Sequence, residues 1–165
     1  MIRVTLEVLK MITHQLKYYC DDTLKEDDDV KWNLLLDLAF KDSEYVEFNL
    51  LFIKMKLPPE IECLAEDFII KRKRKDKIFY SGSSYLYKLS EKMKEFIKSK
   101  RYIDWYNYYY EDISFLRGNH EIFVTCTHEN YIVIEMSEDL RNELNNKGYN
   151  FNQDWPSRKP DRSFC

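Results

Sequence analysis

Four stretches of the chain carry residue types that can do chemistry. In Cys126-Thr127-His128-Glu129 a thiol, an imidazole and a carboxylate fall within four positions, the set a thiol nucleophile or a metal ion uses. The basic run 71–77, KRKRKDK, suits phosphate groups, and tyrosines near it suit stacking on bases. Trp105, Tyr106, Tyr108, Tyr109 and Tyr110 crowd one short segment; such side chains give large contact area with a polar handle and dominate protein interfaces. The fourth stretch is 116–121, LRGNHE, whose Asn119 and His120 are the candidate catalytic pair should the protein be an enzyme.

Leu116-Arg117-Gly118-Asn119-His120-Glu121 resembles, letter for letter, a signature of the Ser/Thr phosphoprotein phosphatase family. The resemblance implies a metal-dependent phosphoesterase, with Asn119 a ligand in a two-metal site and His120 acting on the phosphate. It covers six of 165 residues; the companion motifs GDxHG and GDxxDRG are absent, and the histidines are three, His14, His120 and His128. Gly118-Asn119 also has the composition of a two-residue hairpin turn. In that reading His120 and His128 begin and end one strand, roughly 26 Å apart at ~3.3 Å per residue, and cannot share a metal. Cys126 then faces the core as a small hydrophobe, and neither a metal nor another cofactor is expected.

Several elements must position these residues. Ile2, Val4, Leu6 and Val8 alternate as a strand would, whereas Leu6, Leu9, Thr13, Leu16 and Cys20 trace one helical face, and the length favours a helix from about residue 5 to 20. Val30, Trp32, Leu34, Leu36, Leu38 and Phe40 alternate as a strand would, as do Val46, Phe48, Leu50 and Phe52, which predicts an N-terminal hairpin at about 30–54. Pro58 and Pro59 open a helix with Ile61, Leu64, Ala65 and Phe68 inward and the basic run at its C-terminal end. A short strand at 78–80 and a turn at 81–83 lead to a helix facing inward through Leu86, Leu89, Met93, Phe96 and Ile97.

A three-stranded meander at about 112–136 follows. Its first turn pairs Arg117 with His120, Phe115 with Ile122 and Ile113 with Val124. A three-residue loop at 128–130, with Asn130 in the left-handed conformation, pairs Cys126 with Ile132 and Val124 with Ile134. These registers put Ile113, Phe115, Ile122, Val124, Cys126, Ile132, Ile134 and Met136 on one face. Ser137 N-caps a last helix at about 138–147, with Leu140 and Leu144 inward and Lys147-Gly148 as the stop.

Size and composition bound the rest. A chain of 165 residues with 44% hydrophobic and 16% aromatic content can bury a core of its own. Three glycines disfavour a glycine-rich phosphate loop, and a net charge of −3 gives no overall pull toward nucleic acid. Four cysteines without C-x-x-C spacing read as thiols of a reducing cytosol. Glu7, Lys10 and His14 interrupt the N-terminal apolar stretch, so neither a signal peptide nor a membrane span is expected.

The expected architecture is α+β: one domain over 1–153, an antiparallel sheet covered by four or five helices, and a flexible tail at 154–165. The expected function is that of a non-enzymatic cytoplasmic protein that binds another protein stoichiometrically. Abundant Lys, Ile, Asn, Tyr and Phe point to a low-GC bacterium or its phage, and an immunity protein, antitoxin or phage-encoded inhibitor suits a small, acidic domain without catalytic signatures. Trp105, Tyr106, Tyr108, Tyr109, Tyr110, His128 and Glu129 would meet the partner; nucleic-acid binding through 71–77 is the further alternative.

Overall fold

A computed structural model describes residues 15–21, 24, 29–50, 59–73, 83–106 and 108–153. In chain order the elements are β1 (Leu16–Asp21), α1 (Asp29–Asp42), β2 (Tyr45–Leu50), β3 (Phe68–Lys73), β4 (Ser83–Lys88), α2 (Glu91–Lys98), β5 (Glu111–Arg117), β6 (His120–Cys126), β7 (Tyr131–Met136) and α3 (Glu138–Asn146). A helical turn at Pro59–Glu62 and 3-10 turns at Ala65–Asp67 and Tyr102–Trp105 lie between them. All seven strands join one antiparallel sheet in the order β1-β7-β6-β5-β2-β4-β3. The α+β architecture with an antiparallel sheet is therefore as expected, and β2 and β5 join the two predicted strand groups. Among the described residues the helices longer than one turn are three, not four or five.

The predicted 30–54 hairpin is corrected: residues 29–42 form α1, and only β2 survives as a strand, with residues 51–54 outside the described part. The buried side chains of α1 are Trp32, Leu35, Leu36 and Ala39, which is the i, i+3, i+4, i+7 stripe of a helix. Alternation and helical spacing overlap in this apolar run. Leucine and alanine, with no β-branched residue after Val30, decide for the helix, and Asp29 and Lys41 sit at the dipole ends that favour them. Trp32 Nε1 donates to Lys100 O at 3.1 Å and ties α1 to the segment after α2.

The predicted helix at 5–20 is likewise corrected where it can be described. Residues 16–21 are a strand, with Tyr18 and Cys20 buried at period two, paired along β7 from Leu16↔Met136 to Asp21↔Tyr131. The helix expected after Pro58 is one turn long. Ile61 and Leu64 are buried as expected, but Ala65 and Phe68 are exposed, and the described part of the basic run belongs to β3. Leu86 lies in β4, and α2 begins after Ser90, whose Oγ accepts from Met93 N at 3.1 Å. The strand predicted at 78–80 and the tail at 154–165 fall outside the described residues.

The meander is present, with Arg117 opposite His120 and Asn130 left-handed (φ 54°). Its registers need correction. A bulge between Phe115 and Leu116 sets Phe115 opposite Phe123, and a four-residue loop sets Cys126 opposite Tyr131. Either change shifts β6 by one residue and exchanges its faces. Phe123 consequently packs with Phe115 and Trp32, while Ile122, Val124 and Cys126 lie on the opposite side of the sheet. The helices cover the Phe123 side: Trp32 and Phe40 of α1 meet Phe123 and Phe115, Phe96 of α2 meets Phe48, and Leu144 of α3 joins the same core. Ser137 Oγ accepts from Leu140 N, and Gly148 (φ 89°) ends α3, as the sequence predicts. No helix among the described residues is long and apolar enough to cross a membrane.

Candidate functional site

The exchange of faces in β6 brings the chemistry-bearing residues together. β5 begins with two consecutive acids, Glu111 and Asp112. A regular strand would send these side chains to opposite faces. Here the β2–β5 pairing steps from Phe48↔Ile113 to Asn49↔Glu111, leaving Asp112 as an extra residue with a left-handed backbone (φ 52°). Such a bulge re-aims side chains, and both carboxylates reach the same imidazole. His128 Nδ1 lies 3.5 Å from Glu111 Oε1 and 3.7 Å from Asp112 Oδ1. The Cys126 sulfur, at the end of β6, is 3.7 Å from each ring nitrogen of His128.

The surroundings hold this arrangement. Asn49 Nδ2 donates to Asp112 O at 3.0 Å, and Thr127 N donates to Asp112 Oδ1 at 3.0 Å. One residue on, Thr125 Oγ1 accepts from Ile113 N at 2.8 Å and donates to Ile113 O at 3.3 Å. Glu111, Asp112 and Cys126 are buried, whereas the His128 side chain is 23% exposed at the loop. The Asp112 carboxylate above all, then the Cys126 sulfur and Glu111, pushes the imidazole pKa up to about 12 against the opposing effect of burial. Glu111 Oε1 accepts no hydrogen bond, so its approach to His128 is an ion-pair contact only. A thiol, an imidazole and two carboxylates converging from a strand start, a strand end and a loop can hold a cation, or can pair thiol with imidazole.

The sequence points to Cys126 and His128 but not to their acidic partners. Glu111-Asp112 at the head of a strand was the available signal, and only the bulge makes it visible. Cys126 is buried as expected, but on the side of the sheet away from the Phe123 core, because the register that placed it there is shifted. His120 is remote from this cluster, at the other end of β6, as the strand reading requires.

Asn119 and His120 sit in the exposed turn between β5 and β6. Gly118 (φ 58°) takes the left-handed place at the first central position, and its N–H donates to Glu44 Oε2 at 3.1 Å. His120 Nε2 bonds Glu135 across the sheet. Among the described residues the group of ligand atoms mutually within 4.8 Å is that of Asp112, Cys126 and His128, and neither Asn119 nor His120 joins it.

The aromatic segment divides. Trp105 and Tyr110 are buried and stack on Phe48, with centroids 5.9 and 5.0 Å away. The Tyr110 and Tyr87 hydroxyls share a 2.7 Å hydrogen bond. Tyr108 is half-buried, its hydroxyl donating to Glu60 Oε1 at 2.8 Å beneath Lys100, whose Nζ lies 4.2 Å from the ring centroid. Tyr109 is half-buried, Tyr106 is 49% exposed, and Glu129 is exposed beside His128. Tyr85, Tyr87, Tyr109 and Tyr110 line a groove of about 370 Å³ together with Ile61, Ala65 and Phe68.

That groove borders β3, the terminal strand of the described sheet. Phe68, Ile69 and Ile70 are 43%, 47% and 45% exposed in succession. Lys71 and Arg72 follow: Lys71 Nζ lies 5.2 Å from the Tyr85 ring centroid, and Arg72 is 3.5 Å from Glu47. Comparison with family models, with curated proteins and with solved structures finds no match to this chain.

Proposed function

We propose that the protein binds another protein by taking an extended segment of it along β3. The observation that carries this reading is the run of three exposed apolar residues, Phe68, Ile69 and Ile70, on a terminal strand beside a tyrosine-lined groove. An exposed strand edge offers backbone hydrogen bonds to an added strand, and adjacent pockets then select its side chains. Lys71 and Arg72 continue the same edge, so the segment that fits is apolar first and acidic after. Tyr106 and Tyr109 are the aromatic side chains of the 102–110 segment best placed to extend the contact. The buried Tyr110 lines the groove, and it and Trp105 both stack on Phe48.

The finer reading is a stoichiometric cytoplasmic binder, of the kind represented by immunity proteins, antitoxins and inhibitors of bacterial or phage origin. The thiols of Cys63 and Cys126, which are in no disulfide, support a reducing compartment. The test is co-purification from the native host at native expression level, with the parent chain and with Ile69→Lys. Ile69 is exposed, so folding should be unaffected. One stoichiometric partner lost in the variant is the expected result. No partner, or one retained by Ile69→Lys, overturns the proposal. A salt-dependent shift of single-stranded nucleic acid, abolished by neutralising Arg72 and Arg74, would replace it with the nucleic-acid reading.

A further inference from the structure

We infer that Cys126, His128, Asp112 and Glu111 form a binding site for one divalent cation of the zinc class. The first ground is distance. With Zn–S of about 2.3 Å and Zn–N and Zn–O of about 2.0–2.2 Å, a tetrahedral ion holds its ligand atoms about 3.4–3.6 Å apart. The observed separations from His128 Nδ1 are 3.5 Å to Glu111, 3.7 Å to Asp112 and 3.7 Å to Cys126. Measured from His128 Nδ1 the three groups stand near such an edge length, and the ligand atoms of Asp112, Cys126 and His128 lie within 4.8 Å of one another, with closing movements left to bring in Glu111.

The second ground is independent of those distances. Glu111 is 1% exposed, and its Oε1 accepts no hydrogen bond. A carboxylate taken out of water without donors costs several kcal/mol, and native proteins keep such a group only where something else compensates it. The charge that faces this oxygen is the His128 ring, and a bound divalent cation would take over that compensation. The third ground is the backbone: an aspartate is held left-handed in a bulge, and the result is that two neighbouring carboxylates converge on one point.

The donor set selects the ion. Thiolate and imidazole favour zinc and its soft or borderline relatives over magnesium and calcium, which take oxygen ligands in larger number. The half-open His128 side provides the way in, and Thr127 N, bonded to Asp112 Oδ1, holds that ligand's orientation.

The test uses the full chain, stripped with a chelator and titrated with zinc sulfate and, separately, cobalt chloride. One equivalent of zinc should bind. Cobalt should give tetrahedral d–d absorption together with a thiolate charge-transfer band. Zinc at a hundred times its Kd should raise Tm by roughly 5–11 °C. Cys126→Ser and His128→Gln should each weaken binding at least about 100-fold, more than loss of a supporting group does. Glu111→Gln gives a second arm that does not depend on the ligand variants folding. It should lower the Tm of the stripped protein, by removing the carboxylate that faces the His128 ring, and reduce the rise in Tm that zinc gives. Absence of saturable binding, a cobalt spectrum without the thiolate band, zinc binding insensitive to Cys126→Ser and His128→Gln, or a zinc-induced rise in Tm unchanged by Glu111→Gln would each overturn the inference.

Discussion

The register of β5 against β6 is where this fold departs furthest from a regular meander, and Thr125 tests it. Ladder pairing is set at Ser114↔Val124; one step on, the N–H and the carbonyl of Ile113 both meet the Thr125 hydroxyl, at 2.8 and 3.3 Å, in a buried setting. Thr125→Val keeps the shape and removes that partner. A buried donor left unpaired costs about 1–3 kcal/mol, and the added methyl returns less than about 1 kcal/mol, for a net loss of about 1–2 kcal/mol. In a chain of this length that corresponds to a fall in Tm of roughly 2–8 °C. Thr125→Ser, which keeps the hydroxyl and loses one methyl, should cost about 1 kcal/mol. The assay is urea denaturation followed by circular dichroism, with an unchanged m-value confirming that the folded and unfolded ensembles are comparable. Were the strands in the regular register instead, the Thr125 hydroxyl would have no backbone to serve. A valine variant within ~0.5 kcal/mol of the parent, or more stable than the serine variant, refutes the reasoning.

Four further outcomes follow from the same structure. Phe48→Ala empties the ring stack of Tyr110 and Trp105 and should cost about 3–5 kcal/mol, read as a shift in the urea midpoint. Ser90→Ala removes both the N-cap of α2 and the bond to Asp67 Oδ2, with an expected loss of about 1–2 kcal/mol in the same assay. Gly118→Ala forces a left-handed Cβ into the hairpin turn and should cost about 1 kcal/mol, with Gly118→Asn cheaper, measured by thermal melting. The Tyr108 hydroxyl, more than Lys100, holds the Glu60 carboxyl below its ordinary value of 4.5. A depressed carboxyl contributes stability above its unfolded pKa and loses it as pH falls through the folded one. Tyr108→Phe should therefore raise the Glu60 pKa in an NMR titration and make the melting temperature less sensitive to acid below about pH 4.5.

How much of this was legible in the chain depended on whether one pattern had one meaning. Around Ser137, a capping serine, two acids, spaced leucines and Lys147-Gly148 all point to the same helix, and α3 lies where they place it. At Gly118-Asn119 the turn chemistry likewise admits one answer. Along residues 30–40 two readings competed, because an apolar run rich in leucine satisfies both period two and period 3.6. The buried stripe Trp32, Leu35, Leu36 and Ala39 was the discriminating sign. Phe-Ile-Ile before the basic run was a strand signal absorbed into a supposed helix.

The four-group cluster was half legible. Cys126 and His128 stand two apart and draw notice, but a one-residue register error turned the sulfur away from its neighbours. Bulges arise from tertiary fit rather than from local propensity, and no spacing rule announces that Asp112 will be the extra residue. Its partners Glu111 and Asp112 lie across a hairpin from His128, so only the folded pairing reveals them.

The pairing of β1 with β7 has a consequence for synthesis. Leu16 is matched to Met136, and Tyr19 also exchanges backbone bonds with Asn152, so one of the earliest described strands finds its neighbour only when nearly all of the described chain exists. At 5–20 residues per second the ribosome takes roughly 6–24 s to travel between those partners. Throughout that interval β1 has neither its ladder nor the face on which Tyr18 is later buried. Closure of the sheet is therefore a late and non-local event, slow by topology, and a nascent chain stalled before β7 leaves an adhesive strand waiting.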